Sequence, residues 1–371
     1  MERKVIALLI FKYFPYGGLQ RDFIEVAIEL LKRKFEVKVL TGTWQGEKIS
    51  KLDIKELHNK GLTNHAKNKD FFRKAKIELE KINPDLVFGF NKMPGLDIYL
   101  AADTCFKYFS KRKNPLFKYL PKYKAFVDYE KAVFGKESNT KSLILNKKQQ
   151  QEFCDEYDTQ KSRLTLIPPG LSQTWRKQIE RNNFREELNL NTSSFLFLFV
   201  GSSFHRKGLD RAIKALSYTL ESGKKDMRLI VAGEDEPDPF FQLAKKLGVQ
   251  DKVIFLGPRD DIPEIMSSCD LLIHPAREEA AGNVIIESMI SELPVLTCGE
   301  VGFSSYVEEY NAGKVIREPF KQKDLNDLIF SMSSTSELKF YKENLLGLKE
   351  DDFFFSRFQF IGDFIESELY E

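Results

Sequence analysis

Ten short runs rich in branched and aromatic residues, most of them apolar almost throughout, punctuate this chain. Five come early: Val5–Phe11, Glu36–Thr41, Leu86–Phe90, Ser142–Asn146 and Leu164–Pro168. Five come later: Phe195–Gly201, Arg228–Ala232, Lys252–Leu256, Leu271–His274 and Val295–Cys298. Runs of this length that do not alternate apolar with polar read as strands buried on both faces, the condition inside a parallel sheet covered by helices. Amphipathic stretches of helical character stand between them: Leu19–Lys34, Leu209–Glu221, Phe240–Leu247, Asn283–Glu292 and Lys323–Met332. Strand and helix alternating in two series predict an α/β fold of two doubly wound domains. A length of 371 residues suits two domains of about 100–200 residues each. Pro168-Pro169-Gly170 and the polar stretch to Asn191 stop regular structure and place a hinge there. The expected organisation is residues 1–170, then 171–350, then a terminal segment 351–371. That segment is aromatic and acidic, has Arg357 as its only Lys or Arg, and is expected to form a helix returning to the first domain.

Composition removes several classes. With 42% apolar and 30% charged residues the chain is neither a disordered tail, a collagen-like repeat nor a membrane-embedded bundle. Its longest apolar runs, Val5–Phe11 and Phe195–Val200, fall far short of the roughly 20 residues a spanning helix needs. The first residues faintly resemble a signal peptide, but Lys12 ends the apolar part and no small-residue cleavage site follows, so a buried first strand is expected. The cysteines Cys105, Cys154, Cys269 and Cys298 form no C-x-x-C pair, which suits a reduced cytoplasm. Neither His58, His65, His205 and His274 nor the acids have metal-ligand spacing, and there is no strict Asp-x-Asp; no metal is expected. A formal net charge of +2 makes the chain as a whole no nucleic-acid sponge.

In open parallel α/β sheets, ligands bind beyond the C-terminal ends of strands. Four such places stand out. Phe14-Pro15-Tyr16-Gly17-Gly18-Leu19 joins a strand to a helix, and paired glycines let backbone approach a ligand; glycine also serves simply to turn. Gly201–Gly208 carries His205, Arg206 and Lys207 between a strand end and a helix start, which suits a phosphate or diphosphate as well as a solvated basic turn. In Pro275–Glu287, Gly282 precedes an apolar helix, so amides near Ala281, Asn283 and Val284 can hold a diphosphate. Glu279 before that helix and Glu287 one turn into it suit sugar and ribose hydroxyls, or plain surface acids. Lastly, Gly89–Asp97 places Asn91 and Lys92 toward a cleft, with Asp103 at the end of the next strand; Asp97 reads better as a cap.

Thr104–Val127 differs in kind. It holds Lys107, Lys111, Arg112, Lys113, Lys118, Lys122 and Lys124 among seven aromatics, with no acid. Such a stretch suits an anionic membrane surface. RNA binding has the same signature, and a plain solvated helix is the bland alternative.

Glu279-x7-Glu287 with its Ala-Gly turn, together with Arg206-Lys207, resembles glycosyltransferase family 4, of the GT-B fold with two Rossmann-like domains facing across a cleft. Tyr13–Phe23, Gly89–Asp97, Phe204–Asp210 and His274–Glu287 further resemble the members that glucosylate the lipopolysaccharide core. The resemblance implies a retaining transfer of glucose from UDP-glucose to an inner-core heptose, without a metal, by a peripheral enzyme on the cytoplasmic face of the inner membrane. It implies donor contacts at Gly17, Gly18, Arg176, Arg206, Lys207, Gly233, Glu279, Ala281, Gly282, Asn283, Val284 and Glu287, with Arg259 near the uracil. Asp22 and Asp103 would lie near the reacting carbon or the acceptor, Asn91 and Lys92 on the acceptor side, and the basic segment on the membrane. Asn283 stands where a more apolar residue is common. Another UDP-sugar, UDP-galactose or UDP-N-acetylglucosamine, is therefore the alternative donor. A non-catalytic module binding membrane or RNA is the alternative of another class.

Overall fold

A computed structural model describes residues 3–15, 17–177, 184–223, 226–333 and 335–370. Tyr16 and residues 178–183 of the polar stretch after the hinge lie outside the described residues. The chain divides into two compact units: Met1–Gly170 with Ser356–Glu371, and Leu171–Phe355.

The first unit is built on seven strands: β1 (Val5–Tyr13), β2 (Glu36–Trp44), β3 (Asp53–Glu56), β4 (Leu86–Gly89), β5 (Ile98–Ala101), β6 (Lys141–Ile144) and β7 (Leu164–Leu166). They pair in parallel in the order β3-β2-β1-β4-β5-β6-β7. Ile6–Ile10 of β1 are at most 1% exposed, as an all-apolar central strand requires. The strand order reverses beside β1, so the segments after β1 and β4 emerge next to each other.

The second unit has six strands: β8 (Phe195–Val200), β9 (Met227–Ala232), β10 (Val253–Gly257), β11 (Leu271–His274), β12 (Val295–Cys298) and β13 (Gly313–Ile316). They too are parallel, in the order β10-β9-β8-β11-β12-β13. Here the order reverses between β8 and β11, which brings Gly201–Gly208 beside Pro275–Gly282.

Strands β3 and β13 were not among the expected ones, and of β5 only its end near Asp103 was. Strand β3 lies at a sheet edge and is half-exposed, so its sequence Asp-Ile-Lys-Glu carries little apolar signal. The helix Asn64–Ile82 also escaped the pattern, because only Phe71 and Ala75 are buried along it. Thr63 caps it by accepting from Ala66 N, and Asn83 ends it in the left-handed region. The single helix expected over 351–371 is instead a 3-10 turn, Asp352–Phe355, followed by the helix Arg357–Tyr370. That helix packs on Gly18–Lys32 within the first unit. Arg33 holds it at 2.7 Å from both Asp363 and Glu366, and Arg357 meets Asp22.

Candidate functional site

Two loops of the second unit interlock at the ends of β8 and β11. Arg206 Nη1 donates to the Glu278 carbonyl at 2.7 Å and to Glu279 Oε2 at 3.0 Å. Lys207 Nζ lies 3.7 Å from the same oxygen. Two cations from one loop thus converge on one carboxylate of the other. Gly201 permits this, because a Cβ there would sit 2.4 Å from Lys207 Nζ. The loops are braced behind the cluster. Arg277 N donates to the Arg206 carbonyl at 2.8 Å, and its guanidinium forks onto Asp210 at 2.8 and 2.9 Å. The Glu279 and Ala281 carbonyls accept from Gly302 and Phe303 N. Arg206 is therefore anchored through its backbone while its side chain stays 43% exposed.

Gly282, with φ of 86°, turns the chain into the helix Asn283–Ile290, and no side chain caps that end. Its first N–H groups, among them those of Asn283 and Val284, point out of the helix with the positive end of the dipole. Glu287 is buried one turn on. Burial pushes the Glu279 carboxyl up, but Lys207 and Arg206 outweigh it and hold the group below the usual carboxylate range. His274 ends β11 fully buried, its ring nitrogens without a hydrogen-bond partner among the described residues. Burial, helped by Lys207, pushes its pKa down to about 3.

Gly233 follows β9 so closely on Gly201 that a Cβ would lie 2.4 Å from the Gly201 carbonyl oxygen. Arg259 is gripped by Asp261 at 2.6 and 2.7 Å and lies 3.3 Å from Glu187. Arg176 is likewise engaged, paired with Asp352 and stacked 4.1 Å above the Phe355 ring. Both arginines would have to leave a carboxylate before grasping a ligand. Among the described residues no three His, Cys, Asp or Glu converge as a metal-binding group.

In the first unit, Gly17 precedes and Gly18 begins the helix Gly18–Lys32, which also lacks a side-chain cap. A Cβ on Gly18 would meet nothing within 4 Å, so its own surroundings do not demand glycine. Asp22 and Lys92 are placed otherwise than open-site residues would be. Asp22 is buried and accepts from Arg357 Nη1 at 3.0 Å; burial raises its pKa despite that cation. Lys92, its side chain only 11% exposed, meets buried Glu130 at 2.6 Å. Asn91 turns its amide oxygen to Phe11 N at 2.7 Å, stitching β1 to the segment after β4. Asp103, in contrast, is exposed.

Thr104–Val127 folds into the helix Phe106–Ser110, a 3-10 turn Pro115–Tyr119 and the start of the helix Pro121–Phe134. Leu116, Tyr119 and Leu120 are 70, 85 and 48% exposed, flanked by exposed Arg112, Lys113, Lys118, Lys122 and Lys124. The other aromatics do different work: Phe106 lies within 6.1 Å of Phe117, Tyr123 and Phe126, ring centre to ring centre. Nor do the seven cations act as one, because Lys107 and Lys111 both pair with Glu156 from the helix Lys147–Tyr157. No described helix is long and apolar enough to cross a membrane.

Residues 180–341 match the family described as glycosyl transferases group 1. The chain is 38% identical over 340 residues to the lipopolysaccharide glucosyltransferase WaaG of Escherichia coli (strain K12), covering 90% of this chain and 91% of that one. The chain belongs to the group 1 glycosyltransferases. The crystal structure of WaaG, a glycosyltransferase involved in lipopolysaccharide biosynthesis, superposes with a TM-score of 0.91 at 36% identity, over 97% of this chain and 99% of that one. Anabaena HepE in complex with UDP-glucose shares the fold, with a TM-score of 0.74 at 19% identity over 98% and 99% of the two chains. This group 1 glycosyltransferase has the GT-B fold expected from its loops.

Sequence reasoning passed over Asp210 and Arg277 in the second unit and Glu130 in the first. The Asp210–Arg277 fork joins positions 67 residues apart, so neither local spacing nor periodicity announces it. His274 was visible as a strand-end histidine, but its burial depends on the loops folding over it.

Proposed function

We propose that this glycosyltransferase moves glucose from UDP-glucose to an inner-core heptose of lipopolysaccharide, with retention, at the cytoplasmic surface of an anionic membrane. The convergence of Arg206 and Lys207 on Glu279 carries the reading. A nucleoside diphosphate presents more negative charge than one carboxylate, so it would draw both cations from Glu279. The freed carboxylate then accepts hydrogen bonds from glucose hydroxyls, and Glu287 does the same for the ribose. The amides of Ala281, Gly282, Asn283 and Val284 would face the diphosphate, with the helix dipole behind them. Gly18, with open space above it at a helix start, suits an approach by the same kind of anion. The similarity to WaaG supports the lipopolysaccharide acceptor.

Bond breaking leaves positive character on the sugar and an extra charge on the departing diphosphate. Arg206 and Lys207 stabilise that charge as it develops, and no metal is expected to be needed. Asp103 is the exposed carboxylate on the acceptor side, while Asp22 is held by Arg357. Attack on the face the diphosphate leaves, with that phosphate taking the acceptor proton, gives retention without a covalent sugar adduct.

The test is incubation with radiolabelled UDP-glucose and a heptose-terminated core, followed by linkage analysis. UDP-galactose and UDP-N-acetylglucosamine run in parallel, with and without a chelator. Incorporation of α-linked glucose, unaffected by the chelator and preferred over the other sugars, is expected. Lys207→Ala should lower kcat by a factor of about 100 or more, as loss of one preorganised donor to a developing anion does. Near-normal turnover of that variant removes its assigned role.

A further inference from the structure

Glu130 is fully buried, and both its oxygens are used. Oε1 accepts from Lys92 Nζ at 2.6 Å and Phe106 N at 2.7 Å. Oε2 accepts from Lys107 N at 3.0 Å and the Tyr157 hydroxyl at 2.7 Å. Lys92 spends a second N–H on the Thr104 carbonyl at 2.7 Å. Gln149, also buried, donates to the Ala101 and Asp103 carbonyls at 2.7 and 2.8 Å. Buried Glu130 and Gln149, with the half-buried Lys92, therefore grip the backbone from Ala101 to Lys107, while Asp103 stays exposed in the middle of the gripped stretch.

Stability alone does not call for such a network. A buried ion pair loses two hydration shells, and replacing both partners by neutral groups of similar volume is often neutral or stabilising. What the pair supplies is fixed geometry. Glu130 also stands on the helix Pro121–Phe134, which begins directly after exposed Leu120, and it satisfies two of the orphan N–H groups at the start of the helix Phe106–Ser110. One carboxylate thus ties the two helices that flank Leu116, Tyr119 and Leu120 to the loop that carries Asp103.

We infer that Glu130 and Lys92 are positioning residues: they hold the Asp103 carboxylate for the acceptor and join its loop to the exposed basic and apolar segment. The inference rests on the proposed acceptor-side place of Asp103. Glu130 and Lys92 touch no substrate; they act through the backbone of residues 104–107, and Lys92 also attracts the Asp103 carboxylate by charge. A surface that immobilises the Leu116–Leu120 turn would, through Glu130, also steady Asp103.

The decisive variant is Lys92→Met with Glu130→Gln, which removes both charges at similar volume. Its melting temperature should stay within a few degrees of the parent, and its UDP affinity within twofold. Transfer to heptose-terminated core should fall at least tenfold in kcat, and stimulation by phosphatidylglycerol vesicles over phosphatidylcholine vesicles should disappear. In an Asp103→Asn background the same pair of substitutions should cost less than twofold more, because both changes disable one unit. Hydrogen exchange gives a readout independent of turnover: the Phe106 and Lys107 amides should exchange at least tenfold faster in the double variant.

Unchanged kcat, losses that multiply with Asp103→Asn, unchanged amide exchange, or a double variant that fails to fold would each overturn the positioning role. If Asp103→Asn alone leaves transfer intact while the amides still loosen, the acceptor-side reading of Asp103 fails instead. If the parent transfers no sugar at all, the failure lies with the proposed reaction.

Discussion

His274 sits at the end of β11 with no exposed surface and no hydrogen-bond partner for its ring among the described residues. Its ring lies 6.5 Å from that of Phe199, and Lys207 and Arg206 add to burial in disfavouring a proton, against the opposing pull of Glu279. In the unfolded chain the ring binds a proton near pH 6.5; in the folded chain it does so only at about 3. Between those values unfolding takes up a proton, so stability falls as pH drops; above 6.5 the group adds no pH dependence. The slope is about 1.4 kcal/mol per pH unit, or roughly 2 kcal/mol between pH 6.5 and 5. Denaturant melts at the two pH values should show this loss, and His274→Leu should remove it. A variant with the parent's pH slope would mean that the imidazole is not held neutral. The same neighbourhood explains why the candidate residues could be picked from sequence although their interlock could not. Gly201, Arg206, Lys207, Glu279 and Gly282 all follow a strand end in the loop beyond it, where parallel sheets place ligands. Asp210 and Arg277, which hold the loops together, pair across 67 residues, a distance that carries no local signal.

At the scale of elements, the segment around the 3-10 turn Pro115–Tyr119 shows where a charge pattern misleads. Its lack of acids is true of the sequence but not of the space around it, because Glu156 reaches Lys107 and Lys111 from another helix. Under the proposed membrane role, exposed Lys113, Lys118, Lys122 and Lys124 around Leu116, Tyr119 and Leu120 should each contribute about 1 kcal/mol near an anionic surface. Replacing Lys113, Lys118, Lys122 and Lys124 together by Gln should weaken co-sedimentation with phosphatidylglycerol vesicles by a factor of 100 or more, at about tenfold per 1.4 kcal/mol. Lys111→Gln should do less than Lys118→Gln, because Glu156, shared with Lys107, offsets part of its charge. Equal effects from Lys111 and Lys118 would show that location, not pairing, decides. A one-sided or interrupted apolar pattern hid two of the missed elements. The helix Asn64–Ile82 buries too little to set a period, and β13 begins with glycine and lysine. Central strands such as β1 and β8 were legible because burial on both faces leaves no room for polar residues.

At the scale of the whole molecule, the first unit is made of two separated pieces of chain, and a buried ion pair joins them. Arg357 is the lone Lys or Arg of the terminal segment, a fact plain from composition. Its partner Asp22 stands 335 residues away and could be found only in the folded chain. Arg357 Nε also donates to the Pro168 carbonyl at 3.0 Å, and Gly170 is left without a Cβ where one would fall 2.7 Å from the Arg357 side chain. The guanidinium therefore fastens the returning helix to the helix Gly18–Lys32 and to the last residues before the second unit begins. Arg357→Met would leave Asp22 buried without its cation, a change that costs about 3–5 kcal/mol when one partner of such a pair is removed. That corresponds to a fall of roughly 10 °C in the melting temperature of a unit this size. Adding Asp22→Asn to Arg357→Met removes the stranded charge and should recover part of the loss, although each substitution removes a polar contact. Calorimetry on the two variants separates the contributions. A single variant as stable as the parent would show that the Arg33 ion pairs and apolar packing hold the returning helix without Arg357. A double variant less stable than the single one would show that Asp22 supports the fold without its arginine.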